Sequence, residues 1–461
     1  VSFILQKSMT RGHWSKRLLT PPKILVFGFL IMIAAGTLLL TLPAASATGI
    51  SIGPLNALFT ATSAACVTGL TVVDTGTAFS VFGQTVILLL VQVGGIGFMT
   101  MATLIALVLN KRISLRERLV LQEALNHGTI DGVVRLVKKV ILYSLLIEVA
   151  GALLLAVHYV FSLSLPLGKA VYFGIYHSIS MFNNAGFDLM GSVQGPFSGM
   201  ASFVSDPFMN IVLMALIFLG GIGFIVLSDL LEYPKVRKIS LHSKVVLSAT
   251  AVLVFVGGLV IFLMEVTNPH TLGPLSTGGK IWASLFQSVT TRSGGVNTVD
   301  IGGLHQSTQF FMILLMFIGA APGSTGGGIK ITTFVLLLGA VHAMIRGRED
   351  VVLFRKRIAK DVVYKAITLT LLSILLIILF AMLLSVTEDH DFMSILFESA
   401  SAFGTTGISM GLTTELSPFG KVWVICLMYL GRLGPLTLAY ALTRDSKKEP
   451  YNHPEGKIII G

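Results

Sequence analysis

The chain has 461 residues, 54% of them hydrophobic and only 12% charged, with 33 Lys and Arg against 22 Asp and Glu. Its mean hydropathy is +0.85. Soluble domains carry about 25% charged residues, so a water-soluble enzyme of this length is excluded, and a polytopic helical membrane protein remains.

A basic segment, residues 1–22, precedes the first apolar run at 24–45, which is long enough to span and too long for a cleavable signal. Runs of spanning length follow at 82–109, 136–162, 208–233, 245–266, 309–341, 361–386 and 422–443. The connections alternate in charge. One set (1–23, 110–139, 234–244, 346–365 and the tail from Arg444) holds most of the Lys and Arg, whereas the other holds only Lys169, Lys280, Arg292 and Lys421. Basic connections stay on the cytoplasmic side, which puts both termini there. Basic residues spread over five membrane-flanking collars also exclude nucleic acid as a partner. The opposite connections are acidic, with Asp74, Asp188, Asp206, Glu265, Asp300, Glu388, Asp389, Asp391, Glu398 and Glu415. Two readings stand: charge left over once basic residues are kept inside, or an outer mouth that concentrates cations. Cys66 and Cys426 are too few for a disulfide framework or a metal site, and the histidines lack ligand spacing.

Each outer connection contains one short amphipathic stretch ending at a glycine. The four read ALFTATSAACVTGLTVVD from Ala57, GIYHSISMFNNAGFDLMG from Gly174, SLFQSVTTRSGGVNTVD from Ser284 and ILFESASAFGTTGISMG from Ile395. Aligning Gly69, Gly186, Gly295 and Gly407 places an aromatic residue (Phe59, Tyr176, Phe286, Phe397) near the start of each stretch, one position closer in the third. The following spans repeat as well: QVGGIGF from Gln92, FLGGIGF from Phe218, FIGAAPG from Phe317 and YLGRLGP from Tyr429. The expected fold is an all-α integral membrane protein of four tandem span–pore helix–span repeats. Eight transmembrane helices and four re-entrant pore loops would surround one central pore. The repeats fall at 23–109, 135–233, 234–341 and 342–444, with a cytoplasmic amphipathic loop at 110–134 and a cytoplasmic tail at 445–461. Non-helical backbone at membrane depth is tolerated only where protein or a water-filled cavity surrounds it, and four copies about an axis supply that cavity.

A backbone that turns at glycine can aim successive carbonyl oxygens one way, and four such segments can replace the hydration shell of a monovalent cation. The candidate rings are Val67, Thr68 and Gly69; Asn184, Ala185 and Gly186; Ser293, Gly294 and Gly295; and Thr405, Thr406 and Gly407. The loops share no carboxylate or thiolate of the kind divalent or transition metals prefer. Pore-helix C-termini would add negative dipole ends. The plainer reading is four helices with ordinary glycine C-caps.

These repeats resemble the pore units of the Trk/Ktr/HKT superfamily of potassium transporters, and the whole chain resembles the membrane subunits of bacterial Ktr uptake systems. The resemblance implies a filter glycine in each loop, here Gly69, Gly186, Gly295 and Gly407. Sodium-preferring members carry serine at the first position, so Gly69 implies potassium. The sequences VTGL, NAGF, SGGV and TTGI differ from the TVGYG of potassium channels and imply a shorter string of sites. It further implies potassium as the transported ion, no covalent cofactor, sodium as a candidate activator, and a bacterial cell-membrane location. The implied assembly is a homodimer on a cytosolic ring of nucleotide-binding (RCK-type) regulatory subunits, in contact with membrane lipid. Channel-like uptake and sodium- or proton-coupled symport share this fold.

Two breaks in the symmetry complete the pattern. The run Gly319-Ala320-Ala321-Pro322-Gly323-Ser324-Thr325-Gly326-Gly327-Gly328-Ile329-Lys330 cannot hold a regular helix. No strand precedes it and Ile329 interrupts the spacing to Lys330, so it is no phosphate-binding loop. It reads as a kinked helix or, as the resemblance implies, a gate across the path. Arg432 stands where the other repeats have glycine or alanine, and an ionisable residue there is a functional hypothesis. It would line a constriction or cap carbonyls of the loop. Glu148 and Asp229 would pair with cations near the cytoplasmic side or carry protons, and Glu398 would hold its filter loop by hydrogen bonding or ligate the ion directly. The segment ISLRERLVLQEALN reads as an amphipathic helix with Leu115, Leu119, Leu121 and Leu125 on one side, on the membrane or docked to a partner. The ending Lys457-Ile458-Ile459-Ile460-Gly461 reads as an insertion at a subunit interface.

Overall fold

The computed structural model describes residues 21–97 and 133–435, with positions 100, 119, 121, 122 and 437. The expectations for the N-terminal segment and the tail, and most of the loop at 110–134, lie outside the described residues. Of the four leucines expected on one helix face there, Leu119 and Leu121 are described and helical.

Among the described residues, four helices are long and apolar enough to cross a bilayer unaided: α1 (Pro21–Thr41), α4 (Val133–Ser162), α8 (Leu241–Glu265) and α12 (Lys360–Thr387). Each opens one repeat. Their outward faces are apolar, as in Leu142, Leu145, Leu153 and Phe161 of α4, which suits lipid contact. Behind them come the short helices α2 (Pro54–Ala65), α5 (Leu167–Phe182), α9 (Thr277–Thr290) and α13 (Phe392–Gly404). These pack on the long helix of their own repeat. The repeat then closes with α3 (Val81–Ile96), α6 (Pro207–Gly221), α10 (Gln306–Phe317) or α14 (Pro418–Leu433). Local chemistry starts three of these closing helices: the Ser80, Asp206 and Ser417 side chains accept from the backbone N–H three residues on, and Pro207 and Pro418 occupy the first turn.

The closing helices correct the expectation of spans interrupted only in the third repeat. They hold 16, 15, 12 and 16 residues, short of the roughly 20 that a bilayer needs. α3 stops at Gly97 (φ +92°), α6 bends by 103° at Gly223 (φ +91°) into α7 (Phe224–Val236), and α14 stops at Gly434 (φ +80°). A positive φ ends an α-helix, and glycine takes it without penalty. These three glycines share one column of the repeat, held by Pro322 in the third, where α10 has already ended at Phe317. In the third repeat, the interval between α10 and α11 (Ile331–Ile345) is a loop.

A second glycine column explains how the repeats close-pack. A Cβ on Gly94, Gly220 or Gly431 would strike the carbonyl oxygen of Ala65, Phe182 or Phe403, each four residues before its loop glycine. The connection at 346–365 contains a small hairpin, β1 (Val352–Leu353) against antiparallel β2 (Lys356–Arg357), the only strands among the described residues. Its turn residues Phe354 and Arg355 both have positive φ, the requirement of a type I′ turn.

Candidate functional site

The four pore helices end on the same backbone figure. Two residues before each loop glycine, Val67, Asn184, Ser293 and Thr405 are left-handed, with φ of +57°, +59°, +71° and +47°. The glycines themselves are left-handed too, with φ of +93°, +70°, +75° and +85°, and the residue between is not. Such alternation can turn successive carbonyls to one side. In three repeats the ends are Schellman caps. Val67, Asn184 and Thr405 donate to the carbonyl three residues back, and Thr68, Ala185 and Thr406 donate to Ser63, Ser180 and Ser401 at 2.8 Å. The third repeat, one residue shorter from its aromatic, instead has Gly294 donating to Thr290 at 2.7 Å. The cap residue is therefore not the glycine. A left-handed β-branched residue such as Val67 or Thr405 costs about 1–2 kcal/mol, strain of a kind that clusters at functional sites.

The four loops meet at one place. A Cβ on Gly69 would lie 2.6 Å from the Ala185 oxygen, one on Gly186 would lie 2.5 Å from Gly295 Cα, and one on Gly407 would strike the Thr68 oxygen. All the candidate ring residues that carry side chains are buried, among them Thr68, Ala185, Ser293 and Thr406. Outside this ring lies a vestibule of about 340 Å³ that all four glycines line. Its wall includes Thr71, Asp188, Asn297 and Ser409, each two residues past its glycine. This polar column was readable in the aligned repeats and sequence reasoning missed it. Asp74 and Asp300 also line the vestibule. Burial first, then the neighbouring Asp74 carboxylate, pushes the Asp188 carboxyl up to about 6, against the Met190 N–H that it accepts at 2.9 Å.

On the other side of the ring lies the loop from Gly319 to Lys330. Gly319 N–H donates to Ile329 at 2.9 Å, pinning its two ends together. Ala321 donates to Gly221, Phe224 to Gly323 and Thr325 to Gly220, tying the loop to the break of α6 and α7. Gly327 N–H donates to Thr405 Oγ1 at 2.9 Å, and Lys330 Nζ to the Gly326 carbonyl at 2.7 Å. Gly326 packs beside Ser293, and Ser324 Oγ donates to Ala321 within the loop; Pro322 turns its carbonyl towards Gly223, and Gly328 has φ of +70°. The Arg432 guanidinium donates to the carbonyls of Thr325 and Gly94. Gly326 and Gly327 thus touch the ring at Ser293 and Thr405, and the other candidate gate residues lie in the same loop or, as Arg432, bind it.

Of the remaining carboxylates, Glu148 and Asp229 lack the expected cations, whereas Glu398 makes the expected hydrogen bonds. Glu148 is buried and accepts from Gln92 at 3.0 Å and Asn183 at 3.1 Å, with no cation beside it among the described residues. Asp229 accepts from the hydroxyls of Ser240 and Ser243, both at 2.6 Å. Cation pairing falls instead to Glu232, bound by Lys139. Glu398 accepts from Ser409 at 2.7 Å and Thr413 at 2.5 Å, bracing the segment past Gly407. The corresponding His177 accepts the Leu189 N–H at 3.0 Å on Nε2, so its Nδ1 carries the proton and faces the Tyr159 hydroxyl.

Four re-entrant loops meeting on an axis inside a ring of membrane helices define a membrane transport protein. The profile of the TrkH family, described as a cation transport protein, matches residues 3–450. The chain is 43% identical to the Ktr system potassium uptake protein B of Bacillus subtilis, over 96% of this chain and 97% of that one. It is 39% identical to the potassium/sodium uptake protein NtpJ of Enterococcus hirae, over 97% and 98%. The crystal structure of the potassium transporter TrkH from Vibrio parahaemolyticus shares the fold, with a TM-score of 0.71 at 20% identity over 91% of this chain and 84% of that one. The chain belongs to the TrkH family of cation transport proteins, a family of transporters and not of enzymes.

Proposed function

We propose that the chain conducts potassium inward across the bacterial cell membrane, both termini cytoplasmic, through a filter of backbone carbonyls. The ligands are the oxygens of Val67, Thr68 and Gly69 and of their counterparts in the other three repeats. The observation that carries this reading is the fourfold pairing of a left-handed residue with a left-handed glycine, converging beneath an acidic vestibule. Uncharged oxygens suit an alkali cation, whereas divalent ions call for carboxylates. Potassium is the transported ion and sodium an activator. The loop from Gly319 to Lys330, with Arg432, gates the path, a role supported by its hydrogen bonds to the second and fourth repeats.

The chain works as a homodimer on a cytosolic ring of nucleotide-binding subunits, with lipid around it; relatives named as parts of a Ktr system support a multi-part assembly. A coupled symport is the second reading. It is favoured by the potassium/sodium name of the Enterococcus relative and by Glu148, a buried carboxylate among neutral donors. Reversal potentials in liposomes separate the two: uncoupled flux follows the potassium gradient alone, and coupled flux also shifts with sodium or pH. Gly69→Ser tests the filter itself. The potassium-to-sodium ratio is expected to fall, and an unchanged ratio removes the carbonyl ring from this account.

A further inference from the structure

Arg292 is buried, 8% exposed, three residues before Gly295, where the other repeats have Cys66, Asn183 and Gly404. Its guanidinium makes no hydrogen bond or ion pair with any described residue, and its Nε is fully enclosed. It lines a small cavity between α6, α8, α9 and the loop, walled by Ile217, Ile222, Val254, Val289 and Ala320. The other polar side chain in that wall is Thr250, whose hydroxyl is buried and unpartnered as well. A largely buried cation with no anionic partner is costly to hold. The cavity therefore holds two unsatisfied donors, one of them charged, and no carboxylate.

Size decides what can answer them. The cavity is about 20 Å³, and one water-sized species needs about 10–15 Å³. Phosphate and lipid headgroups are too large. Water fits but leaves the charge uncompensated. We propose that Arg292 and Thr250 form a site for a monatomic anion of chloride's size, accepting from the guanidinium and from the hydroxyl. Ser293 adjoins Arg292 in the chain, so the anion neutralises a positive charge beside the third loop of the ring. Ala320 in the wall links its occupancy to the loop.

The test uses the purified chain and does not depend on what it transports. Crystals grown in bromide are expected to show an anomalous peak within hydrogen-bonding reach of Arg292 and Thr250 Oγ1. In solution, melting temperature is expected to rise with bromide or chloride relative to gluconate at equal ionic strength. Arg292→Gln should weaken the apparent halide affinity about tenfold or more, and Thr250→Val about threefold, as loss of charged and hydroxyl hydrogen bonds implies. Thr250→Val keeps the test open should Arg292→Gln not fold. No peak, or a halide response that is the same in the variants as in the parent, overturns the site and leaves water as its occupant.

Discussion

The guanidinium of Arg432 on α14 donates to the carbonyl of Thr325, 107 residues away in the loop of the third repeat. A second nitrogen of the same group donates to Gly94 on α3. One side chain therefore ties the loop to two other repeats just beneath the ring. Arg432→Ala frees the Thr325 carbonyl and removes a cation from the proposed path. Rubidium uptake by reconstituted vesicles is expected to rise about tenfold, the effect of one charge-assisted hydrogen bond. Deleting Gly326–Gly328 should act the same way, and parental flux in both variants would remove the gate.

Asp188 makes the outer mouth sensitive to pH. Burial first, then the Asp74 carboxylate, holds its carboxyl at about 6, above the usual range. The sign follows: the group is charged above that value and neutral below it. A negative vestibule concentrates cations. One charge at this range is worth about 1 kcal/mol, so potassium affinity should weaken about fivefold as external pH falls from about 7 to about 5. Asp188→Asn should show the weak affinity throughout. Concentration-dependent uptake at several external pH values measures this, and an equally steep pH dependence in the variant assigns the effect elsewhere.

What the sequence discloses follows from what side chains report. Gly69, Gly186, Gly295 and Gly407 stand out because positive φ selects glycine and the chain repeats the choice. Gly97 and Gly223 lie inside apolar runs, and hydropathy does not register a backbone turn, so those breaks emerge only in three dimensions. Val67 and Thr405 are harder still, since β-branched residues disfavour the left-handed region they occupy. The partners of Glu148 come from α3 and the end of α5, 56 and 35 residues away. Nothing local announces them, and the expected cations were the wrong chemistry.

Glu398 tests whether a pore helix braces the segment beyond its glycine. Its carboxylate is buried and accepts from Ser409 and Thr413. Glu398→Ala strands two hydroxyls and should cost about 3 kcal/mol. Glu398→Gln keeps one acceptor and should recover roughly half of that. Thermal unfolding in detergent micelles gives the order. Equal melting temperatures for the two variants would show that the carboxylate is not the brace.

The close-packing glycines separate the ring from the loop beneath it. At Gly94, Gly220 and Gly431 a methyl group strikes the carbonyl of Ala65, Phe182 or Phe403 at the end of a pore helix. Overpacking of this kind costs about 1–3 kcal/mol, and relief by moving the helix end displaces the ring residues that follow. Gly220→Ala should therefore lower the potassium-to-sodium ratio. Gly319 occupies the same column, but a methyl there strikes Gly327 within the loop. Gly319→Ala should change flux while leaving the ratio intact. Gly168→Ala serves as the control, since nothing lies within 4 Å of its added carbon. Paired potassium and sodium uptake in vesicles reads all three, and a shifted ratio in Gly319→Ala would mean that the loop and the ring do not act as separate parts.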